Sequence, residues 1–549
     1  MLNIQFRGPG KLRSWVAAVT IAFGILYPTC AVQAQPAASD PIQQLRQAAA
    51  ALGGLERIRS IKNITLNGYG QYAYMFGAGT ITGSQYAPQK FEGAFDLHRI
   101  YDLEHSRYRQ LERRSFLFPF AIQAGHDLHQ INESLDGEIA YNVLPDGSAQ
   151  RLTRWKEDAH QVDGIHMRRM WSLSNPIALI RAALDPTTKL SNMRSEGGDI
   201  VMDVMLQQGD HFSLALTKRS GLPDWIRWTN PQINLGQVTL TTRLTGYTPH
   251  QGLMLPLGYS TYMDWRNVPY LKIYVDSYDV DQKIADIAAP GSVQGPQPED
   301  PEISVSSERI APGIWRLQAG AAGSTAFEFS DHITLFELSG YQRSAQAMID
   351  FARKLVPGKP VTQLIISHAH VDHVTGIRLA AANGLTVFGR RNNEGILREL
   401  VAHPAPDFPD ALARNPKPLK FVPVDEHLRL SDKAMTLDLY WARDNIHMAD
   451  ALFAYAPQSR VMAEGDIATA AYDFQWWPDN YMDNLEFYKL QVDFLSPVHS
   501  VWPEHPGVLT HAQVIELIKG GVIRTRAWCA DQLAKGTFFT GCPVHSKRY

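Results

Sequence analysis

Ser367-His368-Ala369-His370-Val371-Asp372-His373 is the stretch on which the reading of this chain turns. Three imidazoles and one carboxylate fall between His368 and His373. The apolar run Leu364-Ile365-Ile366 precedes them and reads as a short buried strand, and a helix is expected from Gly376 to Asn383. The cluster therefore sits in a loop at the C-terminal end of a strand. Residues two apart in extended chain point the same way, so His368 and His370 can face one ion. Once the chain turns, Asp372 and His373 can face a second. Neutral imidazole and carboxylate suit zinc and neighbouring transition metals.

Outward from this loop the texture is α/β. Ile314–Gln318 and Ile333–Leu338 read as strands, Ser344–Leu355 as a helix and Leu385–Phe388 as a strand. Upstream, Ala288–Pro301 is dense in Pro and Gly and is expected to be a linker. Before it, from Ile61 to about Val280, the pattern is strand-like. It alternates in Ile64-Thr65-Leu66-Asn67 and Lys272-Ile273-Tyr274-Val275-Asp276, with turns at Pro145-Asp146-Gly147 and Ser220-Gly221. Helices are expected over Ile42–Leu55 and Pro176–Leu184.

The motif resembles the metallo-β-lactamase superfamily signature His-x-His-x-Asp-His, and the resemblance extends over about residues 300–520. The strand-like pattern upstream, with its start Ala51-Leu52-Gly53-Gly54-Leu55, is loosely similar to a carrier half-barrel and reads as a β-rich, antiparallel, half-barrel-like domain; the superfamily resemblance implies an α/β fold with a C-terminal αββα sandwich after it. It also implies three further ligands downstream. His447, in Asp444-Asn445-Ile446-His447-Met448, fits the first, although the family usually shows Gly-His-Thr there. Asp466, ending Val461-Met462-Ala463-Glu464-Gly465-Asp466, fits the bridging carboxylate, with Glu464 as the alternative. His499, closing Phe494-Leu495-Ser496-Pro497-Val498, fits the last, with His505 as its rival. By resemblance His368, His370 and His447 hold a first metal, Asp372, His373 and His499 a second, and Asp466 bridges them. Asp372 is also the candidate catalytic residue, orienting a metal-activated water or passing a proton to the leaving group. Two Zn2+ per chain are expected, with other transition metals as alternatives.

Within the family, relatives with Glu at the position of His370 reduce oxygen or nitric oxide, and some β-lactamases carry Cys at the position of Asp466. Alkylsulfatase-like members use extra Glu ligands in an arrangement not evident here. The expected activity is hydrolysis of an ester, lactone or amide in a small-molecule or lipid-like substrate. β-Lactamase and phosphodiesterase activities are alternatives, as is a non-catalytic carrier that retains its metal domain. One departure stands out: Leu335-Phe336-Glu337-Leu338-Ser339-Gly340 occupies the place of the family's Asp-x-Gly strand ending, with Glu337 as the candidate support for the site. The aromatic stretch Phe474-Gln475-Trp476-Trp477-Pro478 is a candidate for the site mouth.

Composition narrows the classes. The 549 residues carry 52 Lys and Arg against 55 Asp and Glu, so nothing favours nucleic acid as a partner. Hydrophobic residues make up 45%, enough for ordinary cores. Arg7, Lys11 and Arg13, the apolar run Trp15–Leu26 and Val32-Gln33-Ala34 have the layout of a signal peptide over residues 1–34. A periplasmic or secreted protein with no transmembrane segment in the mature chain is expected. Of three cysteines, Cys529 and Cys542 remain after such cleavage and are expected to pair in an oxidising compartment. The expected divisions are a β-rich domain over 42–287, a linker over 288–302, the metal domain over 303–520 and a tail over 521–549.

Overall fold

Thirteen antiparallel strands between Asn63 and Val280 form the first sheet. The computed structural model describes residues 40–74, 89–117, 129–152, 164–296, 302–320, 322–340, 342–445, 447–468, 477–499, 507–536, 542 and 544–549. Strand Asn63–Ala73 lies mid-sheet, between Phe91–Asp102 and Pro269–Val280. The edges are Ala149–Arg151 and Lys189–Glu196. Helix Gly164–Leu173 touches strands Arg107–Phe116, His129–Asp136 and Ile139–Val143 on one half of the sheet and Pro223–Gln232 on the other. One helix can reach both halves only if the sheet curls around it, as its twist favours. Helix Pro41–Leu52 packs on the same layer through Leu45, Ala48, Ala49 and Leu52, all fully buried and at helical spacing. The chain stops at Gly53 and resumes as Leu55–Ser60, so the expected single helix is two.

Helix Gly164–Leu173 carried no expectation. It buries Ile165, Met167, Met170 and Trp171 but also Arg168, whose guanidinium donates to the Ser134 and Tyr141 carbonyls at 2.7 Å. A buried arginine blurs the apolar period. Asn175 caps the next helix, Pro176–Ala183, by accepting from Ile177 and Ala178 N–H groups.

The Pro- and Gly-rich segment is not a free tether as far as residue 296. Ala289 and Val293 are buried against Tyr141, and Arg151 donates to the Gly295 carbonyl at 2.6 Å. Pro41–Tyr549 form one compact unit rather than two bodies on a string.

The C-terminal region holds two further sheets. One orders Val305–Ala311, Ile314–Ala319, Ala322–Glu328, Ile333–Phe336, Val361–Ile365, Thr386–Arg390 and Lys420–Val424. Its first four strands are antiparallel and its last four run parallel. The other orders His427–Ser431, Thr436–Trp441, Leu452–Ala456, Val461–Glu464, Phe494–Pro497 and Leu509–Thr510, with one parallel pair, Val461–Glu464 beside Phe494–Pro497. Ile314, Phe327, Phe336 and Ile365 of the former pack against Leu437, Leu452, Ala454 and Val461 of the latter in one buried cluster. Helix Gln342–Leu355 covers the outer face of the first of these sheets through Ala345, Met348, Ile349 and Ala352. This is the αββα sandwich.

The last helix runs His511–Ala534, well past residue 520, where a tail was expected. Thr510 and Gln513 form a reciprocal capping box, and Val514, Ile518, Val522, Thr525 and Cys529 line its buried side, so the helical period outlasts the expected boundary. Cys529 and Cys542 are disulfide-bonded. Arg548 then pairs with Asp483 and Glu486, returning the chain end to helix Asn480–Tyr488. No helix among the described residues is long and apolar enough to cross a membrane. The expected signal segment lies outside the described residues.

Candidate metal centre

Loops that follow parallel strands of both sheets meet at one edge of the sandwich. Strand Val361–Ile365 delivers His368, His370, Asp372 and His373. Strand Val461–Glu464 delivers Asp466, its parallel neighbour Phe494–Pro497 delivers His499, and the connection between Trp441 and Leu452 delivers His447. Parallel pairing puts successive strand ends on the same side, which is why residues so far apart in sequence converge.

All seven come together in two groups. His368, His370, His447 and Asp466 form one, and Asp372, His373 and His499 the other; within each, one candidate ligand atom per residue lies within 4.8 Å of the rest. In the first group, His370 Nδ1 is 3.0 Å from His368 Nε2 and 2.9 Å from His447 Nε2. In the second, His499 Nε2 is 3.1 Å from His373 Nε2 and 3.2 Å from Asp372 Oδ2. Asp466 reaches both: Oδ2 is 2.8 Å from His447 Nε2 and 3.4 Å from His373 Nε2, and Oδ1 is 3.3 Å from His499 Nε2.

This geometry fits metal ions better than a proton network. One proton cannot satisfy His370 Nδ1 against two facing ring nitrogens at once. Asp372 Oδ1 and Asp466 Oδ1 are buried without a hydrogen-bond partner, which costs free energy unless a cation occupies the space they face. Among the described residues no other group of His, Cys, Asp and Glu converges in this way.

Charge and burial divide the seven. Burial, with the neighbouring His373 and His370 charges, holds His368 well below its ordinary value. Burial and the His447 charge bring His370 down to about 3. Both therefore present neutral, metal-ready nitrogens. Burial pushes Asp372 up, yet the His373 charge and the His499 hydrogen bond outweigh it and leave the carboxyl at about 2. Asp466 likewise overcomes its burial through His499, His373 and His447 and stays ionised.

An outer layer orients these groups. Ser367 Oγ is 2.8 Å from His368 Nδ1, which turns Nε2 inward. Gly465 permits that contact, since a Cβ there would lie 2.4 Å from Ser367 Oγ. Asn445 Oδ1 accepts from the His447 and Met448 N–H groups at 2.8 and 3.1 Å, and its Nδ2 donates to the Asp466 carbonyl at 3.1 Å. Glu337 is fully buried. Its Oε1 accepts from Ser367 N–H at 2.6 Å, and its Oε2 is 3.3 Å from His373 Nδ1.

The rivals separate cleanly. Glu464 turns away: its Oε2 accepts from the Ile467 N–H at 2.6 Å. His505 lies outside the described residues, as do Phe474, Gln475 and Trp476. Trp477 stands with its ring 5.7 Å from that of His447. Asn445 was missed by the sequence reading, although an Asn two residues before a loop His is the signature of an Asx turn. The curled N-terminal sheet also reaches the metal loop, where Asn234 Nδ2 donates to the Val371 carbonyl. Burial and the charges of Glu92 and Asp372 push the Tyr74 hydroxyl up.

The match to a family model agrees with this architecture. Residues 339–493 match the family model of the metallo-beta-lactamase superfamily. A linear primary-alkylsulfatase from Pseudomonas sp is 36% identical over 70 residues, which are 13% of this chain and about a tenth of that protein's length. Among solved structures, a metallo-beta-lactamase from Pontibacter korlensis is 15% identical with a TM-score of 0.30, over 39% of this chain and 99% of its own. One from Hirschia baltica is 13% identical with a TM-score of 0.29, over 40% and 95%. The C-terminal region of this chain, with its strand-end His and Asp loops, has the αββα fold and carries the match to the metallo-beta-lactamase superfamily over residues 339–493.

Proposed function

We propose that the protein is an exported binuclear zinc hydrolase that cleaves an ester, lactone or amide bond. The observation that carries this reading is the convergence of the seven side chains, with Asp466 shared between both groups. His368, His370 and His447 would hold one ion, and Asp372, His373 and His499 the other. Metal ions bound there would make water a nucleophile near neutral pH and polarise the scissile group. The residues do the rest. Asp466 keeps the two groups in register. Asp372, largely buried and ionised, faces the site and can hold a water proton or pass it to a leaving atom. Trp477 beside His447 offers an apolar wall for substrate.

The substrate reading widens on one observation. The alkylsulfatase match favours a sulfate ester of an apolar alcohol as a second substrate class, although the extra Glu ligands of that branch have no counterpart among the seven residues. Export rests on the layout of residues 1–34 and on the Cys529–Cys542 disulfide, which suits an oxidising compartment.

The test is to load the purified chain with zinc and assay carboxylic esters, lactones, amides, β-lactams, phosphodiesters and alkyl sulfates, with and without chelator. Chelator-sensitive turnover that Asp466→Asn abolishes is expected. Turnover untouched by chelator would contradict the reading. N-terminal sequencing of protein recovered from the periplasm or medium should begin at Gln35; an intact Met1 there would contradict export by cleavage.

A further inference from the structure

The N-terminal sheet touches the metal loop directly, through the hairpin of strands Pro223–Gln232 and Gly236–His250. Gln232 pairs with Gly236 to close the hairpin, and Gln232 Oε1 accepts from the N–H groups of Asn234 and Leu235 at 2.8 and 2.7 Å. The tip is thus held by its own side chain. Asn234 is only 4% exposed, and its Nδ2 donates to the Val371 carbonyl at 3.0 Å. The amide orientation follows, because only nitrogen can donate to a carbonyl.

The tip is seated on its other side as well. Gly236 has φ +80°, and a Cβ there would lie 2.8 Å from Ala405 Cβ and 2.9 Å from Arg378 Nη2. Arg378 is itself fixed by Asp410 at 2.5 and 3.2 Å and by the Leu400 and His403 carbonyls at 2.7 and 2.8 Å. Gln237 Oε1 accepts from the Asp407 N–H at 2.8 Å, whereas the Arg266–Glu399 fork, at 2.7 and 3.1 Å, comes from a separate turn between strands Leu253–Met263 and Pro269–Val280 and takes no part in seating this tip. Asn234 therefore has a fixed frame of reference.

Val371 lies between His370 of the first group and Asp372 of the second. The loop's own hydrogen bonds run from His373 and Val374 N–H to the His370 carbonyl, at 3.1 and 3.2 Å. They leave the Val371 carbonyl to Asn234. That carbonyl shares a rigid plane with the Asp372 nitrogen, so holding its oxygen sets the direction in which Asp372 leaves the chain.

We infer that Asn234 is a positioning residue for the metal loop, aiming Asp372 at its group, and that the N-terminal sheet is a structural part of the metal centre rather than a tethered carrier. This rests on the metal-hydrolase reading for its consequence, but the contact itself can be tested without metal.

The experiment uses the full chain and three variants. Asn234→Asp removes the donor and sets a carboxylate against a carbonyl. Asn234→Leu, similar in volume and uncharged, covers the case in which the carboxylate prevents folding. Glu399→Gln weakens the same interface without touching Val371. Zinc affinity is measured by competition with a chromophoric chelator, and hydrogen exchange of residues 368–374 is followed in metal-free protein. The expected result is one of two zinc ions held about 10–100-fold more weakly in both Asn234 variants, as for loss of an outer-layer partner. Faster exchange at His373 and Val374 should accompany it, with Glu399→Gln matching wild type in both. Wild-type affinity and exchange in both Asn234 variants would overturn the inference while leaving the hydrolase reading intact. If the wild-type chain takes up no zinc, the hydrolase reading fails, and the exchange data alone decide: faster exchange confined to the loop upholds the positioning role, unchanged exchange overturns it.

Discussion

Glu337 Oε2 lies 3.3 Å from His373 Nδ1, with both atoms buried. Glu337 follows strand Ile333–Phe336 and takes φ +66°, a left-handed conformation that a residue with a Cβ adopts at a cost of about 1–3 kcal/mol. That strain persists because the carboxylate serves the loop twice, through His373 and through the Ser367 N–H. Glu337→Gln keeps the shape and removes the charge. It is expected to weaken zinc binding about 10–100-fold with little change in melting temperature. Glu337→Ala also strands the Ser367 N–H and should lose a further ~1–3 kcal/mol of stability in urea unfolding.

Two buried carboxylates two residues apart should behave oppositely. Asp466→Asn removes the charge that reaches both groups and replaces one acceptor oxygen with an N–H donor, so zinc affinity and turnover should fall by more than the ~10–100-fold typical of an outer partner. Glu464→Gln keeps an oxygen for the Ile467 and Ala468 N–H groups and gives up the charge. It should cost about 1 kcal/mol in stability and retain both metals. Metal content and chemical denaturation of the two proteins, side by side, check this.

Arg378 and Asp410 are a buried ion pair beneath the helix that follows the metal loop, with Arg378 2% and Asp410 6% exposed. Arg378→Met leaves Asp410 buried and charged with only the Ala413 N–H to accept from, which should cost about 3–5 kcal/mol. The double variant Arg378→Met with Asp410→Leu should recover part of that loss, the rest being the Leu400 and His403 carbonyls and the Ala413 N–H left without their partners. A double-mutant cycle by calorimetry or urea unfolding measures it.

The disulfide closes a short loop, with a sequence separation of 13, between the last helix and the chain end. Restricting the unfolded chain by a loop of that size contributes about 3 kcal/mol. Cys529→Ser with Cys542→Ser should lower the melting temperature and loosen the contacts of Arg548 with Asp483 and Glu486, while zinc affinity stays unchanged. Limited proteolysis at the C-terminus reads the loosening.

Much of this was legible in the sequence, for identifiable reasons. The loop from His368 to His373 declares itself because ligand-type residues crowd a strand end, and the strand-end positions of His447, Asp466 and His499 follow from the αββα resemblance. The thirteen-stranded sheet shows as period-two alternation in strands such as Asn63–Ala73. What stayed hidden depends on tertiary contact. Nothing local in the sequence says that the turn holding Asn234 and Gly236 lands on Val371 and Arg378. Helix Gly164–Leu173 was obscured by Arg168, buried because distant carbonyls receive it. The boundary at 520 failed because no proline or glycine stops the helix there; Gly520 and Gly521 sit inside it.

The most direct test of the central claim is the number of metal ions bound per chain after loading the full protein with zinc and removing the excess, read by elemental mass spectrometry. Two ions in the wild type, falling in Asp466→Asn, are predicted. A wild-type chain that binds no zinc, or a single ion held equally well by Asp466→Asn, would contradict a binuclear centre joined by Asp466.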